Sequence, residues 1–300
     1  MNESKNVLKS EIRRPKTERI IALFESDEKD GIIAEASSHI KAKMDEGVYM
    51  SLANRNDMKR LQRENSAVDT VFNRILALTG LRDFGDVHPP KDFEIIDAPY
   101  RGADGKTRRP LPKYVPKHIL PSLTKMQNAY DADLEKYWDV GAYKRPGLIL
   151  QSAYRSPYYQ IGIFARTILE RGIRKTLQSV ALPGTSQHAN YEHCAFDINN
   201  IGDSYGKTKR ADGRDIGFEE TMEFDWLLKH APSFGFWLPF FPNRTYLQST
   251  TGGDGVLVEP WHIQYTPNAG KRMSENRVPD LFKMWTHLKK AENSLKPELP

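Results

Sequence analysis

The sequence predicts an α+β protein, in which a small antiparallel sheet with flanking helices is preceded by a helical N-terminal region. Helical periodicity dominates residues from about 18 to 80, whereas strand-like apolar runs begin only after Gly147. These runs and the later helices do not alternate regularly, which favours an antiparallel sheet over a parallel one. With 39% hydrophobic and 28% charged residues, the 300-residue chain can bury a core in one or two domains.

The N-terminal region is predicted to be helical, most clearly over residues 57–80. Apolar residues in this segment fall on one side at helical spacing. They are Leu61, Val68, Val71, Phe72, Ile75 and Leu78. Gly80 is expected to end the helix, because glycine readily adopts the left-handed conformation found at helix C-termini.

A proline-rich stretch follows the helical region. Seven prolines lie in the stretch from Pro89 to Pro121, both included, and proline interrupts both helices and the interior of sheets. We therefore predict an extended connector and place a domain boundary there. The predicted division is a helical region of unknown role at residues 1–95, a connector at 96–117 and a second domain at 118–300.

The second domain combines apolar runs short enough for buried strands with longer segments that have one apolar side. The predicted strands cover residues 148–154, 193–199 and 255–265. The predicted helices cover residues 122–138, 158–171 and 219–231. Residues 199–217 are polar and rich in glycine, which predicts a long surface loop.

The overall charge does not identify a partner. The formal charge is +5 and the isoelectric point about 9.0, which suits nucleic acid, acidic lipid or an anionic wall polymer, and equally an ordinary solvated surface. The sequence shows no zinc-finger spacing, glycine-rich phosphate loop or aromatic RNA motif, so no nucleic-acid partner is expected. The oligomeric state stays open.

Targeting signals and cysteine content limit the alternatives further. The sequence has neither an apolar run of membrane-spanning length nor an apolar segment near Met1 that would suggest a secretory signal. We therefore expect a protein made in soluble form in the cytoplasm.

Its single cysteine, Cys194, excludes an internal disulfide and a multi-cysteine zinc site, so metal binding would depend on His, Asp and Glu.

Two short segments contain the residue types of a hydrolytic zinc site. They are SQHANYEHCAFD at 186–197 and EPWH at 259–262. A catalytic zinc commonly takes three nitrogen or oxygen ligands and keeps a fourth position for water, and His188, Asp197 and His262 form such a set. Glu259 lies three residues before His262, so its carboxylate can approach the metal and serve as general base.

These residues lie in four segments that match a known family in order and approximate spacing over residues 118–267. The segments read approximately Ser-Gly-Tyr-Arg-Ser, Ser-x-His with a following Gly-x-Ala-x-Asp, Trp-Leu with a following Phe-Gly-Phe, and Glu-x-Trp-His. The matching positions are Ser152, Tyr154, Arg155, Ser156, Gln160, Ser186, His188, Ala195, Asp197, Trp226, Leu227, Phe234, Gly235, Phe236, Glu259, Trp261 and His262. The chain thereby resembles the lysostaphin, D-alanyl-D-alanine metallopeptidase and hedgehog family, in particular its D-alanyl-D-alanine carboxypeptidase branch.

The resemblance implies a function and a role for each residue. It implies one Zn²⁺ ion per chain, held by His188, Asp197 and His262, with Glu259 as the base that assists attack by zinc-bound water. Arg155 would face the substrate, where a guanidinium can pair with a terminal carboxylate or an oxyanion. The implied substrate is the stem peptide of bacterial peptidoglycan, reached at the cell wall or periplasm after release or export.

Several alternatives remain at this point. Ser186 can hydrogen-bond either the substrate or its own turn. Eight residues separate His188 from Asp197, where the family usually has six, so His193 is an alternative ligand. Cys194 is expected to be a small buried residue. A carboxypeptidase and an endopeptidase are both compatible with the motifs, and a non-catalytic zinc-stabilised binding module of the same fold is the alternative function.

Overall fold

The chain folds into two compact units, each assembled from separate stretches of sequence. The computed structural model describes residues 18–45, 52–85, 87–101, 107–137, 148–199, 207–209, 215–218, 222–239 and 259–271. A helical unit contains Met1–Ile96, Pro112–Lys117 and Ala153–Cys194. A sheet unit contains Asp97–Leu111, His118–Ser152 and Ala195–Pro300. Helices combined with small antiparallel sheets confirm the predicted α+β class.

In the part of the chain that the structure describes, the helical unit consists mainly of six helices around one apolar core. They are α1 at residues 18–29, α2 (Ile32–Asp45), α3 (Arg55–Glu64), α4 (Ser66–Thr79), α6 (Pro157–Arg171) and α7 (Ile173–Ser179). α2 packs against both α4 and α6. Phe24, Ile33, Leu61, Val71 and Phe164 are buried in the shared core. Helix α6, predicted at residues 158–171, is therefore an integral part of the N-terminal helical core.

The segment predicted as one helix at residues 57–80 is two helices, which corrects the prediction. Asn65 interrupts them with extended backbone, at φ −147° and ψ 118°. Its side chain caps α4 by accepting a hydrogen bond from the N–H of Val68 at 3.0 Å, and its own N–H donates to the Leu61 carbonyl at 2.9 Å. Gly80 ends α4 at φ 71°, which confirms the predicted stop.

Within the described part of the proline-rich stretch, two extended runs are paired with each other. Strands β1 (Phe93–Arg101) and β2 (Thr107–Pro116) form a two-stranded sheet. A two-stranded sheet tolerates Pro99, Pro110 and Pro112, because each strand has an outer edge on which a missing N–H breaks no ladder bond. The division into residues 1–95, 96–117 and 118–300 stays a prediction.

The sheet unit contains a four-stranded antiparallel sheet in the order β3-β4-β8-β7. The strands are β3 (Ile149–Ser152), β4 (Ala195–Asn199), β7 (Phe236–Trp237) and β8 (His262–Tyr265). β3 and β4 confirm two predicted strands. The third prediction is only partly covered, because residues 255–258 lie outside the described part of the chain and β8 begins at His262. Phe196 and Phe236 bury their rings edge to face at 6.0 Å.

The described part of the sheet unit also contains two α-helices and a short hairpin. α5 (Leu120–Tyr137) and α8 (Met222–His230) confirm the other predicted helices and are joined by a hydrogen bond of 2.9 Å from Trp226 Nε1 to Asp133 Oδ2. Within the stretch predicted as a loop, β5 (Lys207–Lys209) pairs with β6 (Asp215–Gly217), which the sequence did not predict. Among the helices of the described residues, none has the length and apolarity that crossing a membrane requires.

Candidate metal centre and active site

The sheet register places two of the candidate ligands side by side. Asp197 on β4 is the direct antiparallel partner of His262, the first residue of β8. Directly opposed residues project from the same face of a sheet, with Cβ atoms about 5 Å apart. His262 Nδ1 accordingly lies 3.1 Å from Asp197 Oδ1, and both side chains are buried.

His188 is held by its own turn and by a backbone carbonyl. It lies in a short 3-10 turn, Gln187–Ala189, in which Ser186 Oγ accepts a hydrogen bond from the His188 N–H at 3.3 Å. The ring nitrogen Nδ1 lies 2.9 Å from the carbonyl oxygen of Ala153. Because a carbonyl oxygen can only accept, Nδ1 carries the proton and Nε2 keeps the lone pair that a metal needs.

His188, Asp197 and His262 together form a group that could hold a metal ion. One ligand atom from each lies within 4.8 Å of the other two, and all three residues are buried. Buried carboxylates are costly unless they are paired or bound to a cation, so this cluster is more informative than an exposed acidic one.

The geometry and donor set fit zinc. Two imidazoles and one carboxylate are a common ligand set for a catalytic zinc. Ligand atoms about 2.0–2.2 Å from a tetrahedral zinc are separated by roughly 3.4 Å. The 3.1 Å between His262 Nδ1 and Asp197 Oδ1 is already close to that value.

Glu259 lies beside the cluster and is more accessible than its members. Its Oε2 is 3.6 Å from His262 Nδ1, and its side chain is 23% exposed, compared with 4% for His262. The backbone forms a turn here, since the N–H of His262 donates to the Glu259 carbonyl at 3.1 Å. The turn keeps the carboxylate next to the ring nitrogen, where it can exchange protons with water.

Arg155 follows β3 and is half-buried. Its N–H donates to the His188 carbonyl at 3.1 Å, so the backbones of the arginine motif and the histidine turn are directly joined. Burial raises the pKa of Tyr159, and the guanidinium groups of Arg155 and Arg166 partly offset that rise. Arg155 therefore brings a positive charge close to the first turn of α6.

The structure assigns structural roles to other motif residues. Ser186 caps the 3-10 turn, which is one of its two predicted roles. Tyr154 is buried, packs its ring 4.6 Å from that of Phe93 and has its pKa raised by burial and by the Cys194 side chain. Cys194 is buried as expected, and its Sγ donates to the His188 carbonyl at 3.7 Å.

His193, the alternative ligand, does not belong to the three-residue group found among the described residues. Its N–H donates to Asn190 Oδ1 at 3.0 Å, as part of the loop that follows His188. The Ala153 carbonyl that orients His188 was not predicted. No sequence signal could have identified it, because it is a backbone atom just after β3, 35 residues earlier in the chain.

Comparisons with known proteins point to one family. A model of the VanY family, described as D-alanyl-D-alanine carboxypeptidase, matches residues 115–268, just over half of the chain. A Bacillus subtilis (strain 168) protein named "Putative carboxypeptidase YodJ" is 24% identical over 240 residues, covering 78% of this chain and 75% of that protein.

Solved structures of similar chains include a D,D-pentapeptidase and an LD-carboxypeptidase. A zinc complex of a variant of the vancomycin-resistance D,D-pentapeptidase VanY, from the VanB-type cassette, has 24% identity and a TM-score of 0.39, covering 63% of this chain and 89% of that one. The LdcB LD-carboxypeptidase has 25% identity and a TM-score of 0.42, covering 65% of this chain and 79% of that one.

Proposed function

Because the chain belongs to the VanY family of D-alanyl-D-alanine carboxypeptidases, we propose that it is a zinc-dependent peptidase of bacterial peptidoglycan. The proposed reaction is hydrolysis of an amide bond in the stem peptide, which contains D-amino acids. One observation carries this proposal: the buried group of His188, Asp197 and His262, with the Glu259 carboxylate beside it.

His188, Asp197 and His262 are the proposed ligands of one zinc ion. His188 would bind through Nε2, since the Ala153 carbonyl holds Nδ1. His262 would bind through Nδ1, the nitrogen that faces Asp197. A zinc ion held by this set would supply a Lewis acid that polarises a substrate carbonyl and lowers the pKa of bound water towards neutral.

Glu259 is the proposed general base. It would take a proton from the attacking water and later deliver it to the amine that leaves when the peptide bond breaks. Its position supports this role, because Oε2 lies 3.6 Å from the ligand nitrogen of His262 while the side chain keeps access to solvent. A purely structural metal site has no need for such a carboxylate, so its presence favours an enzyme over a non-catalytic binding module.

Arg155 is proposed to bind the substrate. A guanidinium can form two parallel hydrogen bonds to a carboxylate, which suits the free terminus that a carboxypeptidase must recognise. Its backbone bond to His188 fixes the start of its side chain near the candidate ligand. Ser186 is proposed to support the same turn and to lie within reach of the substrate backbone.

The preferred bond within the stem peptide follows from Arg155. Recognition of a terminal carboxylate would restrict cleavage to the last residue, so removal of a terminal D-alanine is the leading proposal. The family description and the carboxypeptidase name of the Bacillus subtilis relative support it. An endopeptidase that cuts within the stem is the other outcome of the test below, and either enzyme would act at the cell wall after release or export.

Mass spectrometry of digested stem peptides tests the proposal directly. Purified protein is incubated with a pentapeptide stem ending in D-alanyl-D-alanine, with and without a chelator. The expected product has lost one alanine, and it forms only when metal is present. Two internal fragments would show an endopeptidase instead. An intact substrate in the presence of zinc would contradict the proposed function.

Glu259→Ala is the critical variant, with Glu170→Gln as its control. General-base catalysis contributes about 10²- to 10⁴-fold, so Glu259→Ala should lose activity in that range while still binding zinc. Glu170 is an exposed carboxylate on α6 that pairs with Arg166, so its replacement removes a negative charge elsewhere. Unchanged turnover in Glu259→Ala would remove Glu259 from the mechanism.

A further inference from the structure

The loop at residues 189–194 connects two candidate ligands, because His188 precedes it and Asp197 follows on β4. Bonds inside the loop give it its shape: Asn190 Oδ1 accepts the N–H of His193, and Cys194 Sγ donates to the His188 carbonyl. These bonds join the loop to His188, which is itself held by Ala153 and Arg155 at the first end of the loop.

Tyr191 connects this loop to a different part of the helical unit. Its ring stacks on that of His88, with centroids 3.8 Å apart and planes at 18°. It also meets the ring of Phe93 edge to face at 5.4 Å, and its hydroxyl donates to the Asp92 carbonyl at 3.3 Å. All three contacts are with one short segment, residues 88–93, which we call the N-terminal platform.

The N-terminal platform has its own supports, independent of the loop. The Asp92 carboxylate lies 3.6 Å from His88 Nδ1, within ion-pair distance. The Asp92 carbonyl also accepts the N–H of Lys117 at 3.0 Å, and the Phe93 ring packs on that of Tyr154. A loop attached to a segment that is already fixed becomes fixed itself.

We propose that Tyr191 is a positioning residue for the candidate metal centre: its stacking on His88 anchors the loop after His188 and so prepares that histidine for metal binding. The inference rests on the proposed function, since it takes His188 as a ligand. A loop that is ordered before the metal arrives pays no ordering cost when the metal binds, and affinity rises accordingly.

The chemistry of the phenol agrees with this role. Burial raises the pKa of Tyr191 above its ordinary value, and the Asp92 and Glu192 carboxylates raise it further. The hydroxyl therefore stays protonated and remains a donor to the Asp92 carbonyl. The ring stack is the main anchor and the hydroxyl is the lesser one, because its 3.3 Å bond is long for an O–H donor.

The test compares zinc affinity and loop exchange in four variants. Tyr191→Ala removes both anchors, His88→Ala removes the stacking partner, and Tyr191→Phe keeps the ring while losing the hydroxyl. Aromatic pairing energies correspond to a factor of about two to ten, so the two alanine variants should bind zinc about two- to tenfold more weakly, and Tyr191→Phe nearly as well as wild type. Arg174→Ala is the control, because its ion pairs with Glu18 and Glu25 involve neither the loop nor the platform.

Two readouts separate this inference from the proposed function. Chelator competition measures zinc affinity, and amide hydrogen exchange of the metal-free protein measures opening of residues 186–196. Faster exchange and weaker zinc binding in Tyr191→Ala and in His88→Ala support the inference, provided that Arg174→Ala shows neither change. Wild-type exchange and affinity in Tyr191→Ala and His88→Ala overturn it. A wild-type protein that binds no zinc contradicts the proposed function. In that case, faster loop exchange in Tyr191→Ala and His88→Ala would still establish that Tyr191 anchors the loop.

Discussion

Replacing Tyr158 with phenylalanine should destabilise the protein by about 1.5 kcal/mol at neutral pH. Tyr158 lies in the first turn of α6 and is fully buried. Its hydroxyl lies 2.9 Å from Asp83 Oδ1 and 2.9 Å from the Gly85 carbonyl oxygen, so it connects α6 to the segment after α4. The substitution removes this one donor and keeps the ring, which packs edge to face on Phe84 at 5.8 Å.

The magnitude follows from the partners that Asp83 retains. Hydrogen bonds to charged groups contribute about 1.5–3 kcal/mol. The lower end applies because the Asp83 side chain is 26% exposed, so water can partly replace the lost donor. In the variant, Asp83 also keeps the hydrogen bond that its Oδ1 accepts from the Phe84 N–H at 2.7 Å, and its ion pair with Arg55.

The effect should depend on pH in a defined direction. Burial alone would raise the pKa of Asp83, but the Tyr158 hydroxyl, the Phe84 N–H and Arg55 outweigh it and hold that pKa below its ordinary value of 3.8. The charged form is therefore the one stabilised by folding, and its contribution is present above pH 3.8 and lost as the pH falls through the lower folded-state value. The difference between wild type and Tyr158→Phe should shrink over the same range.

Urea unfolding at about pH 7 and about pH 3 measures this difference. Tyr159→Phe is the matched control, because it also removes one tyrosine hydroxyl from α6. Successive helix residues point about 100° apart, so this hydroxyl points away from Asp83. An equal loss for Tyr158→Phe at both pH values would contradict the role of the Asp83 charge. No loss at pH 7 would contradict the bond itself.

Two further predictions concern the ligand choice and a helix end. His193→Ala should retain zinc, whereas His188→Ala should weaken zinc binding by at least about a hundredfold. Chelator competition measures both affinities. The reverse pattern would make His193 the ligand instead of His188. Gly80→Ala should lower the free energy of unfolding by about 1 kcal/mol, because an alanine at φ 71° has a strained backbone. Nothing lies within 4 Å of the added Cβ, so no steric clash contributes. An unchanged urea midpoint would refute this prediction.

Local patterns were sufficient to predict most elements that form within a short stretch of sequence. Helix α6 begins with Ser156 as N-cap and Pro157 in its first turn, both of which are recognisable from the sequence alone. Strand β4 is a short apolar run, and its Asp197 belongs to a motif with ordered spacing. The three residues proposed as ligands were likewise selected from motifs, and the structure brings one ligand atom from each within 4.8 Å of the other two.

Contacts between distant residues were not predictable in the same way. The pairing of β1 with β2 and the stacking of Tyr191 on His88 join residues whose sequence neighbours give no sign of the partner. Asn65 shows a different limit: the periodicity of apolar residues continues across it, because both helices face the same core, and only its capping tendency marks the break.

Zinc content after exhaustive dialysis tests the central claim most directly, namely that His188, Asp197 and His262 hold one metal ion. Inductively coupled plasma mass spectrometry should find one zinc per wild-type chain and almost none in Asp197→Ala, since losing the only carboxylate ligand leaves two imidazoles. A wild-type chain without zinc, or an Asp197→Ala chain that still carries one, would contradict the account.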